Sequence, residues 1–197
     1  KQLKPKTMKI MKSILAIFLI AISLVSFSQN VTIDAKNSSV KWHGKKVTGE
    51  HMGAIQLKSG AFELVNNKIA SGVFAIDMAS ITNSDIEDEG YNTKLVGHLK
   101  SDDFFSVEKF PVATLKITGS SAFTNNSCFV EGDLTIKGIT HPISFEVKKE
   151  NGNYKSELII DRSKFDVKYG SGSFFEGLGD KMIYDEFTLS IVLAPAK

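Results

Sequence analysis

The stretch DLTIKGITHPISFEV, residues 133–147, decides the fold class of this chain. Leu134 and Ile136 alternate with polar neighbours, and a second alternating run follows over residues 143–147. Gly138 lies between the two runs and favours a turn. The pattern predicts two antiparallel strands, each with one water-facing and one apolar side.

Similar alternation recurs along the rest of the chain. It is clearest in residues 39–42, 73–78, 113–118, 129–137, 143–147 and 187–193. Turn residues separate such runs at Asn66-Asn67, Asn125-Asn126 and Asn151-Gly152-Asn153. About eight strands in one meander predict an all-β fold, an extended eight-stranded antiparallel β-barrel. Whether its apolar side forms a solid core or a bore stays open at this point.

The N-terminal region has the pattern of a secretory signal. Residues 8–28 contain two lysines, an apolar run from Ile14 to Ile22, and a small-x-small exit at Ser26–Ser28. A transmembrane anchor is the alternative, but the run is shorter than the roughly 18 residues that a span needs. We therefore divide the chain into residues 1–28, upstream residues plus signal peptide, and residues 29–197, the barrel domain. This predicts a periplasmic or secreted protein with no integral membrane segment after cleavage.

Charge and cysteine content limit the partners. Removal of five lysines with residues 1–28 changes the formal charge from +2 to −3, which disfavours nucleic-acid binding. The single cysteine, Cys128, excludes an internal disulfide. It is either a buried thiol or a bridge between two copies, so a homodimer stays open.

A segment without alternation interrupts the strands at residues 83–111. Asn92 is a candidate N-cap for a helix, and Ser101 is a candidate cap for a second, aromatic helix that carries Phe104 and Phe105. Pro111 ends the segment. We predict a short helical cover between two strands. The acidic loop at residues 83–90 is interpreted as a solvated surface rather than a metal site.

Several ordered blocks resemble the YceI-like family. They are residues 98–105, 108–111, 132–142, 160–165 and 177–181, within a likeness that spans about 31–193. The resemblance implies a lipocalin-like barrel exported to the periplasm. It also implies a long apolar tunnel that holds a polyisoprenoid, such as a quinone tail or a polyprenyl phosphate.

Candidate contacts for such a lipid are assigned by position in the strands and the cover. Phe104, Phe105 and Phe110 are expected over the barrel mouth. The candidate lining residues are Trp42, Phe74, Ile76, Leu115, Leu134 and Phe145. For each of them ordinary core packing is the alternative.

His98, Lys100 and Arg162 are candidates for the head group or an anionic phosphate. Arg162 is a lone guanidinium in a lysine-rich chain, which suggests a role that depends on its geometry. Its alternative is an ion pair with Asp161 or another acid. The alternative for His98 is a hydrogen bond that tethers the cover.

No catalytic motif is recognised, and the four histidines lack a metal-ligand spacing. We therefore predict a binding protein rather than an enzyme, with no metal and no cofactor apart from a bound lipid. The predicted function is an exported carrier or reservoir for a polyisoprenoid or other long-chain lipid. The alternative is a filled barrel that acts through its surface as an interaction or stress-response module.

Overall fold

The structure is a computed structural model that describes residues 28–197, so the predicted signal peptide lies outside it except for Ser28. Eight antiparallel strands close into one barrel, in which each strand pairs with its neighbours in the chain and the last strand pairs with the first. This confirms the predicted fold class. The strands are β1 Ser28–Lys46, β2 Gly49–Val65, β3 Lys68–Asn83, β4 Val112–Ser120, β5 Ser127–Ile136, β6 Ile139–Glu150, β7 Asn153–Asp161 and β8 Ile183–Pro195.

Two-residue turns connect the hairpins. Asn66-Asn67, Asn125-Asn126, Lys137-Gly138 and Asn151-Gly152 all have φ between 50° and 81°. Positive φ at both central residues is what type I′ hairpin turns require, and Asn and Gly adopt it at the lowest cost. The turn predicted at Asn151-Gly152 joins β6 to β7 as expected.

The first three strands are longer than the sequence pattern indicated, and β2 was not located by it. β1, β2 and β3 contain 19, 17 and 16 residues. The register between β2 and β3 shifts three times, between Ala54 and Gln56, between Leu57 and Ser59, and between Glu63 and Leu64. Each shift breaks period two, because a bulge moves the following side chains to the other face.

The one α-helix within residues 28–197, α1 Glu89–Lys100, begins before the predicted cap. Asp88 is the N-cap, and its side chain accepts a hydrogen bond from the Tyr91 amide at 2.8 Å. The prediction of Asn92 as cap was wrong, because its side chain instead donates to Ile86 O at 3.0 Å. Asn92 therefore fastens the acidic loop to the helix.

The predicted second helix is absent from the described chain. Ser101 is the C-cap of α1, and its hydroxyl donates to His98 O at 2.8 Å. Residues 101–109 form successive tight turns instead. The cover is therefore one helix followed by a compact turn segment, which buries Phe104.

The interior side chains form two clusters along the barrel axis. One cluster lies toward the end that carries α1, which we call the helix end, and it includes Val40, Phe104 and Phe165. The other lies toward the opposite end and includes Phe62 and Cys128. Cys128 is a free and buried thiol, which is one of the two predicted interpretations of this residue. Burial raises its pKa.

Glycines lie opposite two large rings on the inner face of the barrel. Trp42 pairs across the β1–β2 ladder with Gly53, and Phe74 pairs across the β2–β3 ladder with Gly60. A Cβ at Gly60 would lie 2.6 Å from Phe74 Cδ1, and a Cβ at Gly53 would lie 2.8 Å from Trp42 Cε2. The missing side chains let both rings lie against the neighbouring strand.

We expect Gly53→Ala to destabilise the barrel, because its Cβ would lie 1.9 Å from Thr82 O. The same carbonyl accepts the Trp42 indole hydrogen bond at 2.9 Å, so the added methyl group disturbs two contacts. The expected loss is about 2 kcal/mol or more in the free energy of unfolding, measured with urea.

Gly119→Ala is the matched control, since nothing lies within 4 Å of the added Cβ in β4. It should leave stability unchanged or raise it slightly. Equal stability of the two variants would contradict the close approach at Gly53.

Candidate functional site

The barrel contains two apolar cavities that follow one another along its axis. The helix-end cavity has a volume of about 180 Å³, and the opposite cavity has a volume of about 100 Å³. α1 and the turn segment roof the first cavity with Leu95, Leu99 and Phe104. Five aliphatic side chains line both cavities and separate them: Val40, Ile76, Leu134, Ile160 and Leu189.

Eight of the nine predicted lipid contacts line one or both cavities. The helix-end cavity is lined by Trp42, Ile76, Phe104, Phe105 and Leu134. The opposite cavity is lined by Phe74, Ile76, Leu115, Leu134 and Phe145. The ninth residue, Phe110, lines neither cavity and instead packs over Gly138 at the β5–β6 turn. The role of these residues as lipid contacts stays a prediction.

The surface of the helix-end cavity is almost entirely apolar, but four residues with charged or titratable side chains other than Tyr184 contribute to its lining: Arg162 under the roof, and three where β1 turns into β2. Lys45, Lys46 and His51 line it there, together with Tyr184 at the start of β8. These residues were not predicted, because clear alternation in the sequence of the first strand ends at Trp42. Period two extended from Trp42 would have placed Lys46 on the inner face.

Phe104 is the centre of the roof. Its ring centroid lies 5.2 Å from that of His98 and 5.9 Å from that of Tyr169, and the Arg162 guanidinium lies 5.5 Å from it. These contacts join α1, the turn segment and the loop that precedes β8. The roof is therefore a packed structure rather than a loose flap.

Arg162 is buried, with 3% of its surface exposed, and its guanidinium is occupied by backbone carbonyls. Nη1 donates to Val167 O at 2.8 Å and to Tyr169 O at 3.0 Å. Nη2 donates to Ile183 O at 3.0 Å, and Nε donates to Tyr184 O at 3.2 Å. Arg162 thus fastens both ends of the 166–182 loop, which leaves little capacity for a head group.

The acid that faces Arg162 is Asp185 rather than Asp161. Asp185 Oδ1 lies 3.3 Å from Nη2, and its Oδ2 accepts a hydrogen bond from Ser173. Asp161 caps the short 3-10 turn Arg162–Phe165 through the Ser163 amide. Burial lowers the pKa of Arg162, and both carboxylates oppose that shift, so the group stays charged.

His98 and Lys100 are the other two head-group candidates, and neither lines a cavity. The His98 ring packs edge-on against Tyr169 at 4.4 Å between centroids. Its Nε2 lies 3.6 Å from Asp103, too far for a good hydrogen bond. His98 therefore tethers the cover through ring packing, not through the predicted hydrogen bond. Lys100 is the last residue of α1.

The acidic loop before α1 is tied to β2 beside the cavity mouth. Asp85 accepts hydrogen bonds from the Met52 amide at 2.7 Å and from His51 at 2.8 Å, and it also accepts one from Asn83. Burial raises the pKa of Asp85, but these hydrogen bonds outweigh it and lower the pKa below its ordinary value. The loop is thus a bonded turn with Asp85 in its ionised form.

Two further properties concern only the described part of the chain. Residues 28–197 contain no group of three side chains that is suited to hold a metal ion. They also contain no helix that is long and apolar enough to cross a bilayer.

We expect Arg162→Lys to destabilise the protein by about 2 to 4 kcal/mol, because one ammonium group cannot reach four carbonyls in two directions. Urea unfolding measures the loss. Lys164→Gln, at an exposed position of the same turn, should stay within about 0.5 kcal/mol of the wild type. Wild-type stability of the Arg162→Lys variant would show that these hydrogen bonds contribute little.

Asp85→Asn should change how stability depends on pH. A carboxyl group whose pKa is lower in the folded than in the unfolded state stabilises the fold above about pH 4, and it loses that effect as pH falls through the folded pKa. The wild type should therefore exceed the variant in stability near neutral pH, and the difference should shrink in acid. Urea unfolding at several pH values tests this, and a constant difference would contradict it.

The chain is similar to known proteins in sequence and in fold. A sequence model described as the YceI-like domain matches residues 31–194. A UPF0312 protein of Shewanella denitrificans is 31% identical over 83 residues, which cover 38% of this chain and 43% of that protein. Protein YceI of Escherichia coli is 32% identical over 74 residues, which cover 38% of each chain. The chain thus spans about two fifths of the length of these curated relatives.

Two solved structures share the barrel. The crystal structure of Burkholderia cenocepacia BcnA is 27% identical with a TM-score of 0.62, over 84% of this chain and 99% of that chain. A polyisoprenoid binding domain from Saccharophagus degradans is 15% identical with a TM-score of 0.54, over 82% and 95% of the two chains, and shows likeness of fold alone. With a family match that covers nearly the entire barrel, the chain belongs to the YceI-like domain family.

Proposed function

We propose that this protein binds one elongated apolar molecule, a polyisoprenoid or other long-chain lipid, and acts as an exported carrier or reservoir for it. The observation that carries the proposal is the pair of adjoining apolar cavities along the barrel axis. The polyisoprenoid-binding name of the Saccharophagus domain, which shares the fold, agrees with this choice. The predicted signal peptide in residues 8–28 supports export to the periplasm.

Cavity size supports a slender ligand. An apolar cavity of about 150 Å³ holds a benzene molecule, so the helix-end cavity suits a portion of chain about one isoprene unit in size. Burial contributes about 0.8 kcal/mol per CH₂ group, or roughly 3 to 4 kcal/mol per isoprene unit before ordering costs. Two units contribute roughly 6 to 8 kcal/mol before these costs, and micromolar binding needs about 8 kcal/mol after them, so the proposal requires a chain longer than two units. A filled barrel, the alternative hypothesis, is disfavoured by both cavities.

We propose that the head group lies at the helix-end mouth, close to Lys45 and Lys46. Lys45 and Lys46 line this end of the cavity, whereas Arg162, which also lines the cavity, has its guanidinium occupied by backbone carbonyls. Two lysines with mobile ammonium groups suit an anionic or hydrogen-bond-accepting head. His98 and Lys100, the earlier candidates, lie outside the cavity walls.

Native mass spectrometry of protein purified from its own cells, followed by solvent extraction, tests for a bound lipid. We expect a mass increment that disappears on extraction and returns when a long-chain prenol or quinone is added. An apo mass under all these conditions would refute the proposal.

Leu134→Trp tests whether one ligand occupies both cavities, because Leu134 lies in the wall between them. An indole there should weaken binding of a long-chain prenol at least about tenfold, and it should affect a prenol of one isoprene unit, which fits in the helix-end cavity alone, much less. Binding is measured by titration with the separated prenols. Val73→Trp adds the same ring to the outer wall, at a position that is 59% exposed, and should leave both affinities unchanged. Equal weakening of both prenols by Leu134→Trp would contradict a shared tunnel.

A further inference from the structure

Exposed large apolar side chains are concentrated at the helix end of the barrel. Ten such residues are exposed in the described chain, and three of them, Val73, Phe129 and Ile159, lie in β3, β5 and β7. The other seven lie at the helix end: Val47, Met52, Tyr91, Tyr169, Phe174, Phe175 and Tyr184. The helix end is also where the larger cavity has its polar mouth. An apolar surface of this kind normally marks an interaction site.

Five of these residues form a group that we call the aromatic rim: Val47, Tyr169, Phe174, Phe175 and Tyr184. The β1–β2 turn and the 166–182 loop carry most of it, and the Val47 amide donates to Met182 O at 3.0 Å to join the two. Tyr184 belongs to both the rim and the wall of the helix-end cavity. The rim is therefore continuous with the mouth.

The loop that carries the rim is held at its base while its rings face solvent. Arg162 fastens the loop through Val167 O and Ile183 O, and Ser171 is completely buried. The amides of Phe174 and Phe175 both donate to Ser171 O, yet their side chains are 43% and 49% exposed. The protein thus presents two adjacent phenyl rings on a fixed base, at the cost of leaving them in water.

Charges beside the rim suit a phospholipid surface. Lys168 Nζ lies 5.3 Å from the Phe174 ring and is paired with Asp166 at 2.7 Å, and Lys45 and Lys46 line the cavity at the mouth. The acidic loop is hydrogen-bonded to His51 and Met52 of β2 beside the same mouth, so charges of both signs stand there. Glu176 and Asp180 lie on the rim loop itself, so the rings rather than net charge dominate the expected affinity. Phenylalanine, tyrosine and lysine together are typical of a membrane–water interface.

We propose that the aromatic rim docks the helix end of the barrel onto the surface of a phospholipid bilayer. In that orientation the cavity mouth faces the lipid, and an apolar chain passes between bilayer and barrel without crossing bulk water. The docking step rests on the exposed rings. Only its purpose, transfer of the ligand, rests on the proposed function.

Vesicle flotation tests the docking. The protein used begins at residue 28, because residues 28–197 contain the entire closed barrel and because the apolar run at residues 14–22 would itself bind membranes. Phosphatidylcholine vesicles, with and without phosphatidylglycerol, serve as the probe. We expect the ligand-free wild type to float with both kinds, more strongly with phosphatidylglycerol. The double variant Phe174→Ser/Phe175→Ser should partition at least about tenfold more weakly.

Phe129→Ser is the matched control, since Phe129 is 62% exposed on the wall of β5. It should float like the wild type, and circular dichroism should show all variants folded. The docking proposal is overturned if the wild type stays with the soluble fraction, if Phe174→Ser/Phe175→Ser floats unchanged, or if Phe129→Ser loses binding equally. It is also overturned if a protein partner protects the backbone amides of the rim from hydrogen exchange and the vesicles do not. Prenol binding in the absence of vesicles is measured separately, so that failure of docking is distinguished from failure of the proposed function.

Discussion

The two interior cavities depend on the pairing of large side chains with glycine between neighbouring strands of the barrel. In a small eight-stranded barrel, inward side chains normally fill the interior. Here Trp42 and Phe74 each pair with a glycine on β2, and a Cβ at either glycine would collide with the ring. Leu115 pairs with Leu134 and lies diagonally beside Gly132, where a Cβ would lie 3.2 Å from its Cδ1. Large groups that lie against the wall leave the axis to smaller aliphatic ones, which is why two cavities persist.

The two ends of the barrel are built differently for a physical reason. At the opposite end the two-residue turns close the strands tightly, and Phe62 packs edge-on against Tyr154 at 4.8 Å. At the helix end, α1 and the 166–182 loop must cover the opening, and they lack a hydrogen-bonded ladder to hold them. Arg162 compensates for this lack with four hydrogen bonds to carbonyls near both ends of that loop. A lone guanidinium does have a geometric task here, but its ligand is the protein's own backbone.

Sequence reasoning predicted the closed meander and its turns, because alternation and Asn/Gly turn chemistry are local properties. β2 was not predicted, because bulges interrupt its alternation. The helix cap was predicted at Asn92, although Asp88 performs that role. Whether the interior is a solid core or contains a bore could not be predicted from the sequence. That choice depends on which residue faces each glycine, and a register of pairing is a property of two strands rather than one. The mouth lysines were missed because β1 continues past its last clear alternation.

The side chains that lie between the two cavities can change conformation at low cost. All five of the side chains that separate the cavities are aliphatic, and none of them is an aromatic ring fixed against a glycine. Leucine and isoleucine change rotamer at a cost of the order of 1 kcal/mol, whereas moving Trp42 would also break its hydrogen bond to Thr82 O. Under the proposed function, an entering chain would displace these aliphatic side chains more easily than the ring of Trp42. The barrel would then keep its shape while side chains on its axis changed rotamer.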